Sequence, residues 1–225
     1  MCFSAEASFA ASGVLAASSV AIARIPKEKA SVPLSLFPAV FAAHQFIEGV
    51  LWLNHDGVLP AAYKTPAVYA YALIAYALWP AFVPLSAYLL ETGRKRRIAI
   101  LACQGIGLGV TLTVLLGFLR QPPRVSADCC SLSYQVSAPD LLIVPYLAAV
   151  SLPFLVSSRR SLVLFGGAVL ASSAAAAVAA SVETFPSVWC YFAALLSAGL
   201  YLHFRAEAGA AVHPLRLMGR FSTGN

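Results

Sequence analysis

The chain has 225 residues, of which 60% are hydrophobic and only 11% are charged. A soluble domain typically has about 45–50% apolar and about 25% charged residues. The composition therefore excludes an ordinary water-soluble globule, a disordered chain and a small disulfide-rich scaffold, and it is typical of a polytopic membrane protein. The formal net charge is +6, but no basic stripe alternates with aromatic residues, so we expect no nucleic-acid partner.

Seven apolar runs follow one another along the chain, and a membrane-spanning helix needs about 20 such residues. Prolines, glycines or charged residues separate the runs, which cover residues 4–23, 32–53, 67–90, 98–119, 140–156, 161–182 and 185–204. We predict an all-α fold, with a single seven-helix transmembrane domain over residues 1–204 and a short cytoplasmic tail over residues 205–225. The first run contains Glu6 and no basic residue precedes it, so it is predicted to be a retained helix rather than a signal peptide.

The basic residues indicate how the predicted helices are oriented. The connections after the first, third and fifth runs, together with the tail, contain 12 Lys and Arg, whereas the other connections contain 3. Lys and Arg collect on the cytoplasmic side of membrane proteins and meet anionic lipid headgroups there. We therefore predict an outside N-terminus, a cytoplasmic C-terminus and a location in the bacterial inner membrane, with membrane lipid as a partner.

The second predicted helix contains two ionisable residues, His44 and Glu48. An ionisable group within a membrane costs about 2.5–3.5 kcal/mol on insertion scales, so such groups are candidates for function. The i,i+4 spacing places both on one helix face, with Gln45 near that face and Trp52 one turn beyond Glu48. One interpretation is a buried His–Glu pair that only packs, and the others are a metal or cofactor site and a proton or substrate relay.

Four of the five cysteines fall at or near the predicted outer side, and Glu6 lies one turn below the first of them. The predicted topology brings thiol, imidazole and carboxylate groups toward one outer cavity, a combination that suits zinc or copper. The predicted metal ligands are Cys2, His44, Glu48 and Cys190. Disulfides persist outside the cytoplasm, and the candidates are Cys129, Cys130, Cys2 and Cys190. The two hypotheses compete, because a disulfide consumes the thiolates that a metal needs.

Aromatic residues and prolines mark further candidates. Tyr76 and Trp79 share a face of the third run, and Pro80 and Pro84 follow them. An aromatic stripe indicates packing or a ligand site, and proline within a helix produces a kink that often lines a cavity. The predicted ligand- or cavity-lining residues are Gln45, Trp52, Tyr76, Trp79 and Glu6.

Several short motifs resemble a family of uncharacterised bacterial integral membrane proteins, a domain of unknown function. The matching motifs are Met1-Cys2-Phe3-Ser4-Ala5, Gln45 with Glu48-Gly49 and Trp52, Trp79-Pro80 with Val83-Pro84, and Ser187-Val188-Trp189-Cys190 with Phe192-Ala193-Ala194. The resemblance implies a polytopic fold and no particular activity. It draws attention to Cys2, Glu48, Trp52, Trp79 and Cys190.

Three functions follow from these patterns. The first is a membrane protein that binds a metal or small ligand in the outer half of the bundle. Whether it is also an enzyme is left open; in that case Glu48 would act as general base or ligand and His44 as ligand or acid–base group. The second is a small transporter or channel in which His44 and Glu48 carry protons or bind cargo. The third is a structural or partner protein with a buried packing pair.

Overall fold

A computed structural model of the chain describes residues 4–128, 131–179 and 184–220. Within these ranges, no side chain is described at residues 128, 179, 190, 191, 193 and 210–220. The described chain is mostly helical. Its α-helices are α1 (Ala5–Ala23), α2 (Val32–Ser35), α3 (Phe37–His55), α4 (Lys64–Ala72), α5 (Trp79–Leu90), α6 (Arg94–Arg120), α7 (Ile143–Leu155), α8 (Arg160–Ala179) and α9 (Phe185–Arg220).

Capping residues and prolines explain where several helices begin. The Ser4 hydroxyl accepts a hydrogen bond from the Ala7 backbone N–H and thereby caps α1. Pro38 occupies the first turn of α3, where its missing N–H leaves no helical hydrogen bond unmade. Short 3-10 turns precede three of the helices, at Lys29–Ser31, Ala61–Tyr63 and Asp140–Leu142.

The third predicted span is one continuous helical segment with a change of pitch at its centre. A π-helix, Leu73–Leu78, joins α4 to α5 and ends directly before Trp79-Pro80. Proline lacks an N–H and its ring crowds the carbonyl one turn earlier, which accounts for the irregular helix at this point. Side chains from other helices bond two carbonyls of the π-helix: Tyr146 Oη donates to Ala75 O and Thr111 Oγ1 to Ala77 O, each at 2.7 Å.

Replacing Tyr146 by phenylalanine removes the hydroxyl that bonds the π-helix. Because Tyr146 is buried, we expect a loss of about 1 kcal/mol in the free energy of unfolding, the usual net value of one hydrogen bond. Thermal melting in detergent checks this, with Tyr63→Phe at an exposed position as the control. Equal melting temperatures for Tyr146→Phe and the wild type would contradict an anchoring role for this bond.

The connection between the fourth and fifth predicted spans contains an antiparallel β-hairpin. Strand β1 (Arg124–Asp128) pairs with β2 (Ser131–Gln135), and Val125 lies opposite Tyr134. Leu132 and Tyr134 are buried, which provides the apolar contact that holds a two-stranded sheet onto the bundle. The all-α prediction therefore needs correction at this segment, although the chain is mostly helical elsewhere.

Five helical segments of the described chain are long and apolar enough to cross a membrane. They are Ala5–Ala23, Lys29–His55, Ala61–Leu90, Arg94–Arg120 and Arg160–Val178, and the apolar segment Asp140–Leu155 is shorter. These segments are compatible with a membrane protein. The total of seven spans and the orientation of the termini stay predictions. The last helix continues beyond residue 204 to Arg220, through most of the predicted tail.

A polar cluster joins three connections that are predicted to lie on the cytoplasmic side. Arg159 forms ion pairs with Glu28, at 3.7 Å, and with Glu207. The buried Glu91 carboxylate accepts hydrogen bonds from the backbone N–H groups of Gly93 and Ser158. These contacts join the connections that follow α1, α5 and α7 to the second half of α9.

Aromatic side chains fill the core between α3, α5 and α7. The Phe37 ring contacts Trp79 edge-on at 5.2 Å between ring centroids and Phe154 at 6.2 Å. Phe41 stacks on Trp79 at 4.2 Å. Edge-to-face and stacked aromatic pairs contribute beyond the area they bury, so this cluster fixes how the three helices pack.

Candidate functional site

A cavity of about 420 Å³ lies between α5, the end of α6, the hairpin, the start of α7 and the start of α9. Its volume falls within the roughly 300–1,000 Å³ range of small-molecule sites. Seven aromatic side chains contribute to the wall: Phe41, Tyr76, Trp79, Tyr134, Tyr146, Phe185 and Trp189. Segments that are far apart in the sequence therefore form one largely aromatic wall.

Polar residues line the cavity at two levels. Gln121, Arg124, Gln135 and Asp140 are solvent-exposed and form the mouth, beside the hairpin. His44 also lines the cavity but is fully buried, so it belongs to the floor. A ligand in this cavity would meet charged and amide groups at the mouth and aromatic rings below.

Three stacked rings connect the floor of the cavity to the hairpin. His44 stacks on Tyr71, with the ring centroids 4.0 Å apart. Tyr71 stacks in turn on Tyr134 at 3.9 Å, with the two ring planes only 4° apart. Because the rings belong to α3, α4 and β2, the stack fixes the hairpin against the bundle and holds His44 in one orientation.

The inner face of α3 carries a buried polar group next to His44. Gln45 and Glu48 are both almost completely buried, and Gln45 Nε2 donates to Glu48 Oε2 at 3.0 Å. Ser187 of α9 is buried near the Glu48 carboxyl, and its hydroxyl donates to the Leu132 carbonyl oxygen at 3.4 Å. This arrangement keeps a carboxyl group away from lipid by surrounding it with polar groups from two helices.

The predicted pair His44 and Glu48 is thus buried on the same face of α3, but its two members have different surroundings. His44 lines the cavity and stacks on Tyr71, whereas Glu48 is not among the residues that line it. His44 thus contributes to the cavity wall from a fully buried position against Tyr71, and Glu48 lies one turn away beside Gln45. Their predicted catalytic roles stay predictions.

The other predicted lining residues fall at several places. Tyr76 and Trp79 line the cavity. Gln45 is buried beside Glu48, and Trp52 is buried with its ring edge-on to His55. Glu6 is exposed in the first turn of α1, where the helix dipole favours a carboxylate, and it lies outside the cavity lining.

The positions of the predicted thiol ligands relative to the cavity lie outside what the structure describes. Cys2, Cys129 and Cys130 lie outside the described residues, and Cys190 is described only as part of the α9 backbone. Among the residues whose side chains are described, no three His, Cys, Asp or Glu are placed to hold a metal ion together. The zinc or copper site and the disulfides therefore remain hypotheses.

Sequence reasoning missed several residues that the structure brings together here. Arg124 and Tyr134 were not predicted as site residues because no strand was predicted between the fourth and fifth spans, and Tyr71, within the third predicted span, was not singled out. Val125 in β1 and Leu132 and Tyr134 in β2 are spaced as strand residues, and this alternation was the available signal. Only the folded chain shows that Tyr134 reaches α4.

Comparison with known proteins places the chain in a family. A family model described as "Family of unknown function (DUF6629)" matches residues 1–214. The chain belongs to this family. The resemblance to an uncharacterised family is thereby confirmed. No curated protein and no solved structure matches the chain. The family match covers every residue of the cavity and assigns no activity to it.

Proposed function

We propose that this family member is an integral membrane protein that binds a small amphipathic ligand in the 420 Å³ cavity. The observation that carries the proposal is the cavity itself, with a buried aromatic wall, one buried histidine and a polar mouth. A largely apolar pocket with a few convergent polar groups is the usual form of a small-molecule site.

The proposal includes seven spans, an outside N-terminus and a cytoplasmic C-terminus in a bacterial inner membrane. The uneven distribution of 12 and 3 basic residues supports this orientation. The contacts of Arg159 and Glu91 support it too, because they join connections that the topology assigns to the cytoplasmic side. The hairpin and the cavity mouth then face the periplasm, so ligand would enter from that side.

Blocking the cavity is expected to abolish ligand binding. Ala138 lines the cavity from a loop, so Ala138→Trp fills the space with little effect on the helices. Native mass spectrometry of protein purified in mild detergent is expected to show a small molecule bound to the wild type and at least about tenfold lower occupancy in Ala138→Trp. Thermal melting with added amphiphiles provides a second measurement.

Ala127→Trp is the matched control, because Ala127 is an exposed residue of strand β1 and lies outside the cavity lining. It should bind as the wild type does. A wild type that carries no small molecule and whose melting temperature no amphiphile changes would disprove the proposal. Equal occupancy in Ala138→Trp and the wild type would show that the small molecule binds outside this cavity.

A second candidate function is metal binding by Cys2, His44, Glu48 and Cys190. The proximity of Ser187 to Glu48 favours it, because Cys190 follows Ser187 by about one turn of α9. The same mass spectra decide this candidate when chelators are omitted. A zinc or copper adduct that disappears in Glu48→Gln and persists in Glu6→Gln would support it, and an unmodified mass for the wild type would exclude it.

A further inference from the structure

Two opposite charges line the mouth of the cavity. Arg124 begins β1, and Asp140 begins the 3-10 turn that leads into α7. Both residues are exposed, and within the described part of the chain neither forms an ion pair. The mouth therefore offers one cation and one anion that no described side chain neutralises.

The lower part of the cavity is suited to an apolar body. A second pocket of about 30 Å³, lined by hydrophobic side chains such as Phe37 and Phe154, shares Trp79 and Trp189 with the cavity. The walls thus change from charged at the mouth to aromatic and then to purely apolar. Aromatic faces also attract a cationic headgroup, which adds to the pull of a nearby carboxylate.

We infer that the ligand is zwitterionic, with an ammonium group bound near Asp140 and an anionic phosphate or carboxylate bound near Arg124. An apolar part of the molecule then extends toward Trp79 and Trp189. The inference rests on the proposed ligand-binding function and specifies the class of ligand. Two sources share this chemistry, the phosphoethanolamine headgroup of a membrane lipid and a free zwitterion of the same kind.

Headgroup selectivity tests the inference. The purified protein in a non-ionic detergent is incubated with either phosphatidylethanolamine or phosphatidylglycerol carrying the same acyl chains, and bound lipid is counted by native mass spectrometry. The wild type should prefer the ethanolamine lipid about tenfold, the value of one charge-assisted hydrogen bond. Free phosphoethanolamine is added as a competitor: competition at micromolar concentration points to the free zwitterion, and its absence to the lipid.

The two charges are expected to act differently when they are removed. Asp140→Asn should abolish the preference for ethanolamine over glycerol while retaining phosphate binding. Arg124→Gln should weaken the binding of both lipids about tenfold or more. Arg94→Gln, an exposed arginine at the other end of the bundle, should change neither.

The outcomes separate this inference from the proposed function. If the wild type binds both lipids equally, or if Asp140→Asn retains the preference, the zwitterion inference is wrong. The proposed function survives that result as long as Ala138→Trp still blocks binding. If neither lipid nor free phosphoethanolamine binds, whereas another amphiphile does and Ala138→Trp blocks it, the cavity is a ligand site of a different specificity and the inference fails alone.

Discussion

Gly107→Ala is expected to destabilise the protein by roughly 3 kcal/mol, the upper end of the usual cost of overpacking, because the neighbour is backbone that cannot move away. A Cβ built on Gly107 would lie 1.8 Å from the Pro80 carbonyl oxygen and 2.7 Å from its carbon. Pro80 is held in the first turn of α5 directly after the π-helix, so its backbone cannot shift independently. The close contact of α5 with α6 would have to open.

Thermal melting and unfolding by sodium dodecyl sulfate titration measure this loss. Gly105→Ala and Gly109→Ala are matched controls on the same helix, because a Cβ at either position meets nothing within 4 Å. Both controls should melt at or slightly above the wild-type temperature, since alanine favours a helix over glycine. Similar losses for all three variants would show that helix propensity, and not the contact with Pro80, determines the effect.

Glu91→Ala is expected to lower the free energy of unfolding by about 2 kcal/mol, because it leaves several partly buried donors without their protein acceptor. The carboxylate is buried and accepts from the backbone N–H of Gly93 at 2.9 Å and of Ser158 at 2.7 Å. Ser158 Oγ and the Thr92 N–H are further donors. Glu91→Gln should cost less, since it retains one acceptor oxygen, and Glu28→Gln, at a well-exposed carboxylate, should cost little.

The same carboxylate predicts how stability depends on pH. Burial alone would raise the pKa of Glu91, but hydrogen bonds from Gly93, Ser158 and Thr92 outweigh it and lower the pKa below its ordinary value. A carboxyl whose pKa is lower in the folded state contributes stability above its unfolded pKa of about 4.3 and loses it as the pH falls further. Melting between pH 7 and pH 3 should therefore show a smaller acid-induced loss for Glu91→Gln than for the wild type.

The arrangement of the helices along the chain was predictable, because the cost of placing a residue in lipid depends on composition over about 20 residues. The segments Ala5–Ala23, Arg94–Arg120 and Arg160–Val178 agree with predicted spans to within a few residues. Three of the four glycines of α6, Gly105, Gly107 and Gly109, illustrate the limit of such reasoning. Their spacing in the sequence does not distinguish them, yet of these three only Gly107 lies in close contact with another helix.

The candidate site was only partly predictable. A polar spacing of four residues was sufficient to place His44 and Glu48 on one buried face of α3. The spacing was not sufficient to show that, of these two residues, His44 lines the cavity and Glu48 does not. That difference depends on where Tyr71 and Tyr134 pack. Tyr76 and Trp79, which the sequence placed on one helix face, both line the cavity, whereas the π-helix that contains Tyr76 was not predicted.

The sequence by itself determined that this protein is helical, apolar and suited to a membrane, because these properties depend on local composition and period. Tertiary structure alone decided that β2 reaches α4, that Arg124 and Asp140 share one cavity, and that Glu91 joins two connections. Each of these contacts joins residues that are distant in the chain. Such contacts stabilise the protein only after the helices and the hairpin have packed together, so local sequence patterns do not reveal them.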